Sequence, residues 1–418
     1  MTSAAPRASV REFALHDAPL GYRVSGLTPG EYLWVTAQVT ERPDRQWASH
    51  ASFVADADGT VDVARDAPKV GSYEGVDAFG LLWSMTSSQV AGGLQEPWHV
   101  KVRLSARTRD REVPAVGTDR YGCDKGVELR YTHESGFGGS LWWRSDQPPA
   151  PAVILLGGSE GGAQHLAASL LASRGFCVLA LSYFRDKLLP ARPRRIPVEY
   201  FVRATEWLLG LPEVGSTRIG VVGGSLGATA ALVLGCHSDS VAAVVAKTGS
   251  GVLYPRIGAR RETHWTNNGV PLARFSVVPQ LGRLLWTIAR SGEATQRVTM
   301  EACVGGAAAV PELALPVERI GGPVLVIQGA SDELIPRSFS RAPIDRRAAR
   351  GGHPADELVT YPEAGHFDLV PGLPTVLHSY RLRGFKTELK PGGTRAGNAR
   401  ATIDSWNRTI RFLREHVQ

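Results

Sequence analysis

At 418 residues the chain is too long for one ordinary domain and long enough to bury two cores. Its 43% hydrophobic and 21% charged residues exclude general disorder, and no apolar run reaches the length of a membrane span. The net charge of +7 comes from scattered arginines: clusters such as Arg192-Pro-Arg194-Arg195 and Arg346-Arg347 never grow into a basic stripe, and no zinc-finger or aromatic RNA-binding pattern accompanies them, so nucleic acid is not an expected partner.

Cys123, Cys177, Cys236 and Cys303 form no CxxC pair. Cys177 and Cys236 lie in apolar runs and read as small buried hydrophobes, which suits a reducing compartment better than a disulfide scaffold. The first residues lack the apolar core of a secretory signal, and the ending His416-Val-Gln418 is not a peroxisomal address. The expected location is the cytoplasm, without membrane insertion; oligomeric state is not legible.

Residues 1 to about 115 are expected to form a β-sandwich. Tyr22–Ser25, Tyr32–Val39 and His99–Leu104 have the alternation of half-buried strands, with turn signals at Thr28-Pro-Gly30, Asp56–Gly59 and Ala91-Gly-Gly93. No nucleophile or metal-ligand cluster stands out there.

From about 116 to 418 the pattern changes. Val153–Leu156, Val178–Leu181, Ile219–Val222, Val241–Val245 and Val324–Ile327 are short, nearly continuous apolar runs, as in strands covered on both faces. Helix-length segments at 163–174, 197–210 and 226–236 lie between them, so the fold class is α/β with a mostly parallel sheet. Residues 250–320 break the rhythm and include a helix-like stretch, Gln280–Ala289. Two readings stand: a cap that shapes a substrate pocket, or a helix with loops that cover the sheet.

The strongest local signal is Gly223-Gly224-Ser225-Leu226-Gly227, a G-x-S-x-G between an apolar strand and an Ala/Leu-rich helix. A nucleophile on such a sharp turn needs small neighbours because the chain doubles back closely on itself. The helix that follows points its positive end at the site. A serine hydroxyl is a weak nucleophile, so a base must take its proton and an acid must orient that base. In α/β-hydrolases these follow in the order Ser, Asp or Glu, His.

Asp332 lies just past Val324–Ile327, with Glu333 beside it as the alternative orienter. His366 lies just past Leu358–Tyr361, and the separation leaves room for a helix and a return strand. His353 and His237 lack the strand-end context and read as surface residues. For the oxyanion, the expected donors are the backbone N–H of Leu226 and that of Ser159, with Glu160 N–H as the alternative. Ser159 lies in the turn Gly157-Gly-Ser-Glu-Gly-Gly162, which lacks the Gly-Lys-Ser/Thr ending of a nucleotide-binding loop and the spacing of a dinucleotide fingerprint. Glu160 and Tyr183 are candidate substrate-pocket residues. Neither a cofactor nor a metal is called for.

Several further segments fit one family by their order and spacing. They are Ala18–Gly30 and Gly80–Trp83 in the first part, then Leu170–Phe176, Leu181–Phe184, Glu199–Phe201, Tyr361–His366, Pro391-Gly-Gly393 and Ala401–Trp406. Together with the G-x-S-x-G they resemble the acyl-CoA thioesterase and bile-acid-CoA:amino-acid N-acyltransferase family over nearly the whole chain. The resemblance implies an immunoglobulin-like sandwich fused to an α/β-hydrolase. It also implies chemistry on an acyl thioester of CoA or an acyl carrier protein, through an acyl-enzyme on Ser225.

Within that family the amino-acid transferases resemble one another in using cysteine and the thioesterases in using serine, so Ser225 leans towards hydrolysis. Transfer or cyclisation, an ordinary carboxylesterase, and a non-catalytic binding protein on a hydrolase scaffold are the competing readings. Two departures stand out. Glu160 occupies a position where the mammalian relatives carry glycine, placing a carboxylate in the oxyanion turn, and residues 250–320 match poorly.

Overall fold

The apolar runs of the second part assemble into one eight-stranded sheet, whose six inner strands are largely buried and whose two edge strands are not. Its strands are β1 (Val127–Tyr131), β2 (Gly138–Arg144), β3 (Ala152–Leu156), β4 (Cys177–Ser182), β5 (Ile219–Gly224), β6 (Val241–Lys247), β7 (Val324–Gly329) and β8 (Glu357–Tyr361). Their order across the sheet is β1-β2-β4-β3-β5-β6-β7-β8. The first two strands are antiparallel to their neighbours, and every pair from β4 to β8 is parallel. This is the α/β-hydrolase fold.

The structure is a computed structural model that describes residues 5–418, apart from 43–44, 88–97, 256–261, 276–281, 283–285, 287–288, 290–295, 305–312, 368, 378–379 and 382–387. The turn signal at 91–93 lies outside the described residues. Of the helix expected over 280–289, only Gly282, Trp286 and Ala289 are described, and all three are helical.

Two compact units divide the chain: Met1–Asp124 with Val370–His378, and Lys125–Leu369 with Ser379–Gln418. The first is all-β. A six-stranded sheet runs in the order Phe13–Leu15, Glu112–Tyr121, His99–Arg107, Tyr32–Arg42, Arg45–Val54, Val70–Gly71, and a three-stranded sheet joins Arg7–Ser9, Arg23–Ser25 and Val61–Asp62. Along Tyr32–Arg42 the burial alternates, with Leu33, Val35, Ala37 and Val39 buried, which is the period of a strand with one face on a core.

In the second unit, α1 (His165–Ser173), α2 (Val198–Leu209) and α3 (Leu226–Gly235) fall within or beside the helical segments read from the sequence. Leu226–Gly235 is buried all round, so it carries no amphipathic pattern and packs as a core helix against β5 and β6. Further on come α4 (Gln296–Val304), α5 (Arg337–Ala348) and the 22-residue α6 (Arg395–His416), whose N-cap Thr394 accepts a hydrogen bond from Gly397 N–H. Within 250–320, Trp265–Asn267 is the middle strand of a small sheet, parallel to Ile196–Pro197 and antiparallel to Val270–Pro271. Among the described residues no helix is long and apolar enough to cross a membrane.

Candidate active site

Ser225 sits between β5 and α3 with φ 54° and ψ −120°, a backbone conformation that a non-glycine residue adopts only under restraint. The restraint is visible on both sides. Its N–H donates to the Lys247 carbonyl at the end of β6, at 2.9 Å, and its carbonyl accepts from Ala228 N–H at 3.1 Å. A Cβ at Gly223 would collide with the Gly227 carbonyl, and one at Gly227 with the Leu156 and Gly157 carbonyls. These two close approaches explain the glycines on either side of the serine.

Asp332 follows β7 and His366 follows β8, so both leave the same carboxyl edge of the sheet as Ser225. His366 Nδ1 lies 3.0 Å from Asp332 Oδ2. The other carboxylate oxygen, Oδ1, accepts from Leu334 N–H at 2.7 Å and Ile335 N–H at 2.9 Å. Asp332 is buried, and its two oxygens are thus assigned to different tasks. Glu333, the alternative orienter, faces Arg297 at 3.5 Å. His353 Nδ1 bonds Ala355 N–H and His237 Nδ1 contacts the Val233 carbonyl, so the structure does not bring either histidine's Nδ1 to a carboxylate.

One segment joins the two loops that carry Asp332 and His366. The Pro391 carbonyl accepts from His366 N–H at 2.7 Å and from Glu333 N–H at 3.4 Å. Asn398, buried in the first turn of α6, accepts from Gly365 N–H through Oδ1 at 2.7 Å and donates through Nδ2 to the Gly392 carbonyl at 3.4 Å. Ser331 N–H donates to the Ala364 carbonyl at 2.9 Å, linking the loops directly. In the sequence Pro391-Gly-Gly393 stands out only through the family resemblance, and Asn398 does not stand out. No local pattern marks Asn398 as a brace, because its partner Gly365 lies 33 residues upstream.

The turn after β3 holds the other half of the site. Tyr183 is buried, and its hydroxyl donates to the Gly157 carbonyl at 2.6 Å. Burial, reinforced by the negative charge of Glu160, raises the Tyr183 phenol well above its ordinary pKa, so it stays a donor. Tyr183 packs on Phe184, Phe201 and Trp265. Ser159 and Glu160 are exposed; the Glu160 side chain folds back so that Oε1 accepts from Gly158 N–H and from Gln164 Nε2, each at 2.7 Å. Arg185 Nη1 donates to the Glu160 carbonyl at 2.7 Å. Among the described residues, nothing accepts a hydrogen bond from the Ser159 or Leu226 N–H.

A second serine–histidine contact, unforeseen from the sequence, joins Ser140 Oγ to His165 Nδ1 at 2.9 Å. Ser140 is fully buried within β2, and its Oγ also accepts from Trp142 Nε1 at 2.8 Å. Burial lowers the His165 pKa from its ordinary value, which suits a neutral ring in a packed polar cluster. Ser140 has neither the strained turn nor the helix N-terminus that Ser225 has.

Two family models match this chain. The one described as BAAT / Acyl-CoA thioester hydrolase C terminal covers residues 196–418, and the Acyl-CoA thioester hydrolase/BAAT N-terminal region covers residues 17–132. The chain belongs to this family. It is 28% identical to acyl-coenzyme A amino acid N-acyltransferase 1 of Mus musculus, over 97% of this chain and 96% of that one. It is 27% identical to the peroxisomal succinyl-coenzyme A thioesterase of Mus musculus, over 96% and 94%. Among solved structures it is similar to a dienelactone hydrolase-like promiscuous phosphotriesterase from metagenomic libraries, with TM-score 0.43 and 17% identity over 70% of this chain and 100% of that one.

Proposed function

We propose that this member of the family is a serine-dependent acyl thioesterase, acting on acyl-CoA or carrier-bound acyl groups. The observation that carries the reading is the strained backbone of Ser225 at the carboxyl edge of the sheet that also bears the Asp332–His366 pair. Ser225 Oγ attacks the thioester carbonyl while His366 Nε2 takes its proton. Asp332 Oδ2, on Nδ1, fixes the ring's tautomer and offsets the charge of the imidazolium. The oxyanion of the tetrahedral adduct lies against the Leu226 N–H at the start of α3 and the Ser159 N–H.

Collapse of the adduct releases the thiol, which takes the proton from His366. Water then gives a proton to the same ring, attacks the acyl-enzyme, and frees the acid and Ser225. Tyr183 braces the oxyanion turn through the Gly157 carbonyl.

In Ser225→Ala, thiol release from an acyl-CoA is expected to fall by about 10⁴-fold or more. Undiminished turnover would sink the reading. The likeness to an N-acyltransferase favours a second one, in which an amine replaces water on the acyl-enzyme. Mass spectrometry of products formed with amino acids present separates the two, since only free acid is expected here.

A further inference from the structure

Glu160 has no part in that mechanism, yet its carboxylate lies beside the nucleophile. A methyl group placed on Gly158 would lie 2.6 Å from Glu160 Oε2 and 3.1 Å from Ser225 Cβ. The carboxylate and the serine side chain therefore close in on the same point beside Gly158, leaving less than a methyl group's room there. Gly158 N–H and Gln164 Nε2 hold Oε1 from two directions, so the carboxylate is already oriented before a substrate arrives. Among the described residues, Oε2 receives no hydrogen bond and no lysine or arginine pairs with the carboxylate. Arg185 Nη1, the near guanidinium, is engaged by the backbone carbonyl of Glu160 instead.

A fixed negative charge at that place opposes the negative charge that develops on the reacting carbonyl oxygen. A donor or cation on the substrate removes the opposition by binding Oε2, and an anion there adds to it. Two unit charges about 5 Å apart at an effective dielectric near 20 alter a rate by on the order of a hundredfold, and solvent at an exposed turn reduces this to roughly tenfold.

Building on Ser225 as nucleophile, we propose that Glu160 is a specificity-determining residue whose free oxygen takes a hydrogen-bond donor carried by the acyl group close to the thioester carbonyl. The substrate class it selects is amino- and hydroxyacyl thioesters, and it disfavours acyl groups that carry a carboxylate there.

Four CoA thioesters of matched length test this: β-alanyl, 3-hydroxypropionyl, butyryl and succinyl. The kcat/KM values are expected to fall in that order. In Glu160→Gln, which keeps the size and the acceptor for Gly158 N–H, the β-alanyl to succinyl ratio is expected to drop by about tenfold. A ratio unchanged within about twofold, or an equal loss on all four thioesters, overturns the proposal, because a carboxylate that only braces Gly158 has no charge preference.

Should Glu160→Gln fail to fold, the wild-type ratio is measured against ionic strength. Shrinkage with salt supports the proposal, and a salt-independent ratio refutes it. A wild-type enzyme that reacts with a fluorophosphonate at Ser225 but prefers succinyl to β-alanyl also refutes it. Failure of the nucleophile reading looks different: Ser225→Ala would then still turn over butyryl-CoA.

Discussion

The two sides of Ser225 are held by different means. On the acid–base side, Asp332 is buried and both of its oxygens are occupied, while the loops bearing Asp332 and His366 are tied to the Pro391 carbonyl by backbone hydrogen bonds and to Asn398 through its side-chain amide. On the oxyanion side, the turn is exposed at Ser159 and Glu160 and is held by two side chains, Tyr183 from below and Glu160 from within. Backbone restraint fixes the base where a small displacement costs most, because proton transfer requires hydrogen-bond geometry. Side-chain restraint on the other half leaves room for substrate to replace a contact.

The comparison predicts unequal losses. Asp332→Asn is expected to lower kcat by about 10³–10⁴-fold, because an amide on Nδ1 no longer fixes the tautomer that lets Nε2 accept a proton. Circular dichroism should show the fold intact, and a loss under about tenfold would mean that another group orients His366.

Asn398→Ala removes the acceptor for Gly365 N–H and one donor to the Pro391–Gly393 segment. Asn398 touches no reacting atom and is a positioning residue. A fall of about 10–100-fold in kcat is expected, with KM little changed and a shifted pH–rate profile. Asn398→Asp, which keeps the acceptor, should recover part of the rate. Equal loss in both variants with an unmoved pH profile would assign Asn398 to stability alone.

Tyr183→Phe probes the opposite side. It leaves the buried Gly157 carbonyl without its donor, so stability to denaturant is expected to drop by about 1–3 kcal/mol. The rate should fall less than in Asn398→Ala, by up to about tenfold. A larger kinetic loss than Asn398→Ala produces would reverse the ranking of the two sides.

How much of this was legible beforehand follows the same division. The strands β3 to β7 announce themselves as short apolar runs, and Ser225 by its glycines, because both signals are local in the chain. Asp332 and His366 could be placed by chain order and strand ends. Asn398 could not, since its partner Gly365 lies 33 residues upstream and the contact exists only once α6 returns to the sheet edge. Glu160 stands out in the sequence as an unusual residue, but its position depends on a side-chain fold back to Gly158 that no periodicity encodes. Ser140 and His165 meet across β2 and α1 for the same reason and passed unseen.

The smallest expected effect tests how firmly the core beneath Ser225 is closed. Cys236 closes α3, the helix that begins directly after Ser225, and Cys177 opens β4. Both are buried, and burial pushes each thiol up to about 12, with nearby acidic side chains adding to the rise. At pH 8 only about one thiol in 10⁴ is then ionised, and thiolate is the form that alkylating reagents attack. Burial also raises the half-buried Cys123 thiol. Iodoacetamide at pH 8 is therefore expected to leave Cys177 and Cys236 unmodified over the time in which a fluorophosphonate abolishes activity. Inactivation by iodoacetamide, with the modified peptide mapped to Cys177 or Cys236, would show that the core around α3 opens to solvent. It would also remove the rigid base on which the strained turn at Ser225 depends.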